Sequence, residues 1–479
     1  MNSKRRKRVI VAAGLVLAAG GTLAYILLRE NPNYVRAAET LPQAKAAATE
    51  AFGTLTWEDY RAERGIETRD DADAWEAFGK TRPHLPLSVR RSPEPGDDTL
   101  RKYFLANRQW YMEVYGQIKE LTVQHVYDPA AGDWSNPQSY EVASLRLLLA
   151  QGVIGAADAG DIEAVRKISQ AEWSLREKEL SEIDWSSYLP TQAKILAFES
   201  ALLVAAVRNR QNPELLDEIR DSVRNWPRMP SVADTFAGDI RSESLMLDEL
   251  RGLGPGEIDQ WLDDLLVRNQ ELITPLRLRR ASIELERDFY NAVQRFRSSF
   301  RGTGPHTSAA LEARFWETAV EFHDALTGFE GDRSGSRKRV FVVGDSLIGH
   351  KDVSYELALL VFIFNFVSEV HVLSVGRPLR GATDAQRTAV EMVWRFPQFD
   401  MLPEELPQDL MFADPRGGGD VLYRKTDAGF VIYSRGEDGV DDGFVPNRPN
   451  QFREMDVMSV STDKDEGLVV CYHPIVPVP

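Results

Sequence analysis

Four carboxylates, Glu437, Asp438, Asp441 and Asp442, fall within six residues of VIYSRGEDGVDDG (431–443), among Gly436, Gly439 and Gly443. Calcium takes about six to eight oxygens from carboxylates and carbonyls on a tightly turning chain, so this cluster is a candidate calcium loop. Its spacing is not that of an EF-hand, whose acids alternate ahead of a distant Glu. The competing reading is a solvated turn, in which Asp accepts from nearby backbone and Gly takes positive φ. Other metal chemistry has less support. The seven histidines include no HExxH pair, and Glu321, His323 and Asp324 share a predicted helix as a surface patch. A single cysteine, Cys471, excludes an internal disulfide and a Cys-based zinc site. RGGGD (416–420) is a turn and not a phosphate cradle, because no helix start follows it.

A second chemical possibility lies at VFVVGDSLIGH (340–350), a predicted strand followed by Gly344-Asp345-Ser346-Leu347. This resembles the nucleophile block of GDSL-type esterases, which implies an envelope serine hydrolase with Ser346 as nucleophile. Such a serine needs a histidine base and oxyanion donors. Only His350, His371 and His473 follow it, none three residues after an Asp, and no Gly-x-Asn-Asp block is present.

The address of the chain is written at its N-terminus. Lys4–Arg8 is a cytoplasmic basic segment (1–8), followed by the 20 uncharged residues Val9–Leu28. About 20 apolar residues span a bilayer core, and the basic flank stays in the cytoplasm. Residues 9–28 are therefore expected to be a single-pass anchor in the lipid bilayer of the cytoplasmic membrane. Cleavage after Gly20 as a signal peptide is the alternative. Beyond the five leading basic residues, 52 Lys and Arg face 73 Asp and Glu, an excess of 21 negative charges. A body so acidic repels phosphate backbones, so no nucleic-acid partner is expected.

At 479 residues the chain is long enough for two or three domains. Residues 30–97 read as a weakly ordered juxtamembrane region with short helices, ending in the proline-rich linker PHLPLSVRRSPEPG (83–96). From 98 to 330 apolar residues recur at helical spacing with almost no period-2 alternation, which predicts an antiparallel multi-helix domain. The first helix is expected from Asp97 or Asp98 to about Tyr127. Further helices are expected over 138–157, from Gly160-Asp161, from Thr191, around 258–266, over 274–298 and over 308–327. The stretch Ile195–Val207 is apolar almost all round except for Glu199 and Ser200, the mark of a buried helix. Residues 340–479 form a small α+β module. Within it a strand is expected at 340–343, a buried helix at 355–372, a helix at 383–396 and a β-hairpin from VLYRK (421–425) through TDAG to FVIYS (430–434).

The order LPEEL (402–406), Asp414-Pro415, LYR (422–424), GFVIYS (429–434) and GEDGVDDG (436–443) makes one C-terminal signature. It resembles the tail of an uncharacterised family of bacterial membrane-anchored helical proteins, and residues 140–250 are similar to their helical region. The tail resembles, more distantly, the C-terminal loop of type II secretion pseudopilins, which implies calcium held by the acidic loop. Phe444 stands where the family has a second Gly, and Arg416 where it has Phe after Asp-Pro. The sequence thus predicts a mainly α protein with an N-terminal transmembrane helix. The function expected is a non-catalytic extracytoplasmic scaffold with an envelope protein partner. The serine hydrolase and the calcium-holding secretion component are the alternatives.

Overall fold

The structure is a computed structural model. It describes residues 32–64, 72–85, 98–121, 126–128, 133–135, 139–181, 185–228, 230, 234–238, 240–241, parts of 309–327, 381–414, 419–435, 440–441, 443–444, 456–461 and 466–472. The fold is mainly helical with a small antiparallel sheet toward the C-terminus. Among the described residues no helix is long and apolar enough to cross a membrane. The expected span at 9–28 lies outside them, as do the elements expected at 258–298, 340–343 and 355–372.

The chain divides into two compact units that cut across the expected boundaries at 98, 330 and 340. One comprises Met1–Tyr60, Ile240–Thr327 and Lys338–Glu369, the other Arg61–Asp239, Gly328–Arg337 and Val370–Pro479. The C-terminal sheet therefore belongs with the main helical body and is not a separate module.

In the first unit, the region expected to be weakly ordered carries the 21-residue helix α1 (Pro32–Phe52), continuous through Pro42. Gly53, at φ +73°, ends it. Helix α2 (Trp57–Arg64) begins where Thr56 Oγ1 accepts from the Asp59 N–H at 3.1 Å, a side-chain N-cap. Arg241 ties down the joint between them. Its guanidinium donates to Phe52 O at 2.6 Å and Thr54 O at 2.9 Å, and lies 4.2 Å over the Tyr60 ring. Lys45 pairs with Glu312 at 2.6 Å, and Thr40 donates to Glu317 at 2.9 Å.

The second unit begins with α3 (Ala72–Thr81). The single helix expected from Asp98 is two, α4 (Thr99–Ala106) and α5 (Arg108–Lys119), broken at Asn107, whose backbone leaves helical values at φ −119°, ψ 15°. Its expected last turn is instead strand: β1 (Val126–Asp128) pairs antiparallel with β2 (Asp133–Ser135). Two three-residue strands are too short for alternation to register in sequence. Helices α6 (Ser139–Asp158) and α7 (Ile162–Ser181) meet as Gly160-Asp161 predicts. Gly160 adopts φ +69°, the Asp161 N–H returns to Ala156 O at 3.0 Å, and Asp161 Oδ1 caps the Ala164 N–H at 3.1 Å. Helix α8 (Trp185–Arg208) starts before the expected Thr191, and α9 (Pro213–Asn225) follows with Asn212 as N-cap and Pro213 in its first turn. Residues 381–395 form α10.

Helix α6 lies at the centre, packed on α4, α7 and α8, while α5 and α9 flank α7. Two glycines let this happen. A Cβ at Gly155 would collide with Leu100 O and Phe104 of α4, and one at Gly152 with the Tyr111 ring of α5. The end of α5 is held from α7: the Lys178 ammonium donates to the carbonyls of Ile118 (2.8 Å), Lys119 (2.9 Å) and Leu121. A cation at a helix C-terminus satisfies carbonyls that have no partner in their own helix.

The expected hairpin is present as β3 (Leu422–Thr426) and β4 (Gly429–Ser434). Two strands that the sequence reading did not anticipate, β5 (Val457–Ser461) and β6 (Glu466–Cys471), complete an antiparallel sheet of order β3-β4-β6-β5. Phe430, Ile432, Leu468 and Val470 point into the same core as the helices, and Val431, Tyr433, Val469 and Cys471 into a smaller cluster behind. Burial on both faces is why β4 reads as an unbroken apolar run. Arg208 at the end of α8 joins helices to sheet, pairing with Asp456 at 2.7 Å and Asp158 at 3.3 Å.

Gly155→Ala should destabilise the full-length protein by about 1–3 kcal/mol, the usual cost of overpacking, in denaturant unfolding. Gly116→Ala, with no atom near the added methyl, should be neutral or stabilising by up to about 1 kcal/mol from helix propensity. Burial, helped by the Asp456 carboxylate, pushes the Cys471 thiol up to about 11. The unfolded thiol titrates first, near 9. The contribution of this group is therefore complete below about pH 9 and is lost as pH rises toward 11. The melting temperature should fall over that window, and Cys471→Ala should remove the part of the fall that begins near pH 9.

Candidate functional site

The two chemical stretches of the sequence fare differently. Ser346, His350, His371 and His473 lie outside the described residues, as do Glu437, Asp438 and Asp442. Asp441 is described, and its carboxylate serves the local turn. Its Oδ1 accepts from the Gly443 N–H at 2.9 Å and from the Tyr433 hydroxyl at 3.1 Å. Gly443 takes φ +76°. This is the geometry of the turn reading at that one residue. Among the described residues no three His, Cys, Asp or Glu side chains converge as a metal site. His323 packs edge-on against Phe52 at 5.1 Å, while its neighbour Asp324 faces solvent.

The C-terminal signature is a set of mutual braces. Buried Asp414 accepts from Ser434 Oγ at 2.6 Å and from the Arg435 N–H at 2.9 Å. Tyr423 donates to Pro403 O at 3.0 Å, and Lys425 to Leu402 O at 2.9 Å. Arg424 donates to the carbonyls of Gly443 and Phe444. Phe444 adopts φ +41° and is buried 5.4 Å from the Tyr433 ring. It fits because residue 467 is Gly: a Cβ there would strike both Phe444 and Tyr433.

Among the described residues, a concentration of charged side chains lies inside the helical body. Seven charged side chains alternate in sign along one chain of contacts: Lys194, Glu179, Arg146, Glu172, Arg176, Glu199 and Arg387. Lys194 stands 3.7 Å from Glu179, which takes Arg146 Nη1 at 2.7 Å. Arg146 Nε donates to Glu172 at 2.8 Å, and the other oxygen of Glu172 stands 3.7 Å from Arg176 Nε. Arg176 Nη1 donates to Glu199 at 2.8 Å, and Arg387 Nη2 reaches the same oxygen at 3.0 Å. The inner five side chains are buried, and only the ends, Lys194 at 19% and Arg387 at 15%, see solvent.

Helix geometry builds this chain. Glu172, Arg176 and Glu179 follow one another at four and three residues on a single face of α7. Arg146 projects from α6, Lys194 and Glu199 from α8, and Arg387 from α10, so four helices meet along that face. The Arg176 guanidinium also lies 4.3 Å over the Trp226 ring. Glu391 extends the clamp outward, taking Arg220 at 3.1 Å and Arg224, while Arg220 lies 3.6 Å over Trp394.

Burial outweighs the neighbouring charges at Glu172 and Lys194, while at Arg146 the two carboxylates outweigh burial. It pushes the Glu172 carboxyl up despite Arg146 and Arg176 beside it. It pulls the Lys194 ammonium down despite Glu179. Several buried polar atoms along the seam have no hydrogen-bond partner, among them Arg146 Nη2, Arg176 Nη2, Glu199 Oε2, Gln386 Oε1 and both ends of the Gln192 amide.

Sequence reading did not single out this chain. The signal was there: Glu199 interrupts an otherwise apolar helix, and Arg146 stands in SLRLLLAQ. A charge on a helix buried all round must find an opposite charge. Sequence alone does not say which, because the partners lie on other helices, 23 to 188 residues away.

No family model, no curated protein and no solved structure matches this chain. The resemblance of the tail rests on its own residues.

Arg146→Met leaves Glu172 and Glu179 buried with one cation fewer and should cost about 3–5 kcal/mol in denaturant unfolding. Glu218→Gln, which breaks the exposed pair with Arg166, should cost less than about 1 kcal/mol.

Proposed function

We propose that this chain is a non-catalytic interaction protein of the cell envelope, anchored by residues 9–28, with its body outside the cytoplasm. The basic cluster Lys4–Arg8 ahead of 20 uncharged residues supports the anchor and its orientation. The observation that carries the scaffold reading is the chain of ion pairs from Lys194 to Arg387. It joins α6, α7, α8 and α10 in one geometry and turns their charged side chains on each other. A body fixed in this way presents a constant surface to an envelope protein partner.

Cell fractionation tests the reading. The full-length chain should remain in the membrane pellet after carbonate extraction, and its body should be digested by protease added outside the cytoplasmic membrane. Deleting residues 1–28 should release it. Recovery of the full-length chain in the soluble fraction would overturn the anchor. Covalent labelling of Ser346 by a serine-hydrolase probe, abolished by Ser346→Ala, would overturn the non-catalytic reading and leave the anchor standing.

A further inference from the structure

Strand β3 is one edge of the sheet, and the hydrogen-bond register says which of its backbone groups face outward. The Tyr472 N–H donates to Ala428 O at 2.6 Å, so Ala428, Phe430 and Ile432 turn their backbone groups to β6. Gly429, Val431 and Tyr433 then face β3, where they pair with Thr426, Arg424 and Leu422. The backbone groups of Tyr423 and Lys425 therefore point away from the sheet. The same edge is already paired just upstream. Ala413 bridges Asp420, the Val421 N–H donates to Phe412 O at 3.0 Å, and the Asp414 N–H donates to Gly419 O at 2.9 Å. Traced back from Phe412, that short neighbour turns off through exposed Met411 into the 3-10 turn Gln408–Leu410. Among the described residues no backbone group continues its line to Tyr423 and Lys425. The side chains of these two residues hold the adjoining segment, at Pro403 O and Leu402 O, and the Lys425 ammonium lies 5.7 Å from the Phe399 ring. Phe399 and Met401 of that segment are exposed.

We propose that the outer edge of β3 accepts an added strand from the envelope partner, an antiparallel segment of apolar–acidic–apolar pattern. Main-chain bonds to Tyr423 and Lys425 supply the affinity, and alternate side chains supply the selection. Charge decides the occupant. Arg424 is exposed and stands on the other face from Tyr423 and Lys425. A second copy added with Tyr423 opposite Lys425 sets Arg424 directly against Arg424, where like charges repel. An acid at that position is attracted, and the apolar residues on either side of it fall on the face that carries Phe399. The site rests on the interaction reading above and gives it a surface and a chemistry.

The probe is the labelled peptide acetyl-Thr-Val-Glu-Val-Thr-amide, titrated against the full-length chain in mild detergent by fluorescence anisotropy. It should bind saturably. N-methylation of either valine, whose N–H faces β3, should abolish binding, while N-methylation of the glutamate, whose N–H faces away, should not. Arg424→Glu should weaken binding about tenfold, and replacing the peptide's glutamate by lysine should restore it. Lys425→Pro removes an outward N–H and leaves the pairing with β4 intact, so it should abolish binding, while Lys425→Ala should keep it. No saturable binding, or equal loss from every N-methylation, would overturn the added strand. Self-association of the chain that Lys425→Pro removes, without peptide binding, would overturn the partner and give the edge to a second copy. Either failure leaves the anchor and the non-catalytic reading to fractionation and serine labelling.

Discussion

A carboxylate taken into a protein interior must be paired or hydrogen-bonded, and three inside this helical body are held between cations. Each of Glu172, Glu179 and Glu199 lies between two cations carried on different helices or different turns. That requirement sets where α6, α7, α8 and α10 stand. A purely apolar seam sets its register by shape alone and accepts volume-conserving swaps. A chain of alternating charge does not: moving one helix by a turn puts like charges together. The glycines of α6 act with this constraint. They bring α4 and α5 close enough for the remaining face of α6 to present Arg146 to α7.

The same logic, on a smaller scale, organises the tail. Asp414, Ser434, Tyr423, Arg424, Lys425 and Asp441 all bond to chain segments near the hairpin. What looks in sequence like a concentration of functional side chains is, among the described residues, a way of closing irregular loops. Loops have backbone groups that no helix or sheet satisfies, and side chains supply the missing partners. Arg208 then connects the two systems through Asp158 and Asp456.

Much of the scaffold was legible in sequence. Helix junctions such as Gly160-Asp161, and the turn between β3 and β4, carry local chemistry that acts over a few residues, whereas the helix start at Asn212-Pro213 was not read. The break at Asn107 was not legible, because the apolar period runs on through it. Strands β5 and β6 were missed for a different reason. Their pairing partners lie in β4 and in each other, across loops, and short strands lack a period of their own. The C-terminal strands share a core with the helices because a core is defined by contact and not by order along the chain. In the candidate site, Asp441 and its part in a turn were both read from sequence, beside the calcium alternative. The buried charge chain was legible only as oddities, a Glu and an Arg in apolar company.

Strand β6 is the last of the strands in sequence, yet it lies inside the sheet, between β4 and β5. Its Leu468 and Val470 belong to the same core as Phe104 and Ile168, some three hundred residues earlier. During synthesis the helices emerge long before strand β6. Until residue 471 is out, β4 lacks one hydrogen-bonded neighbour and the helical core is open along one wall. Such a chain must be kept from pairing with its neighbours while it waits. A copy that stops before β6 therefore leaves one edge of β4 unpaired, a surface open to pairing with other chains.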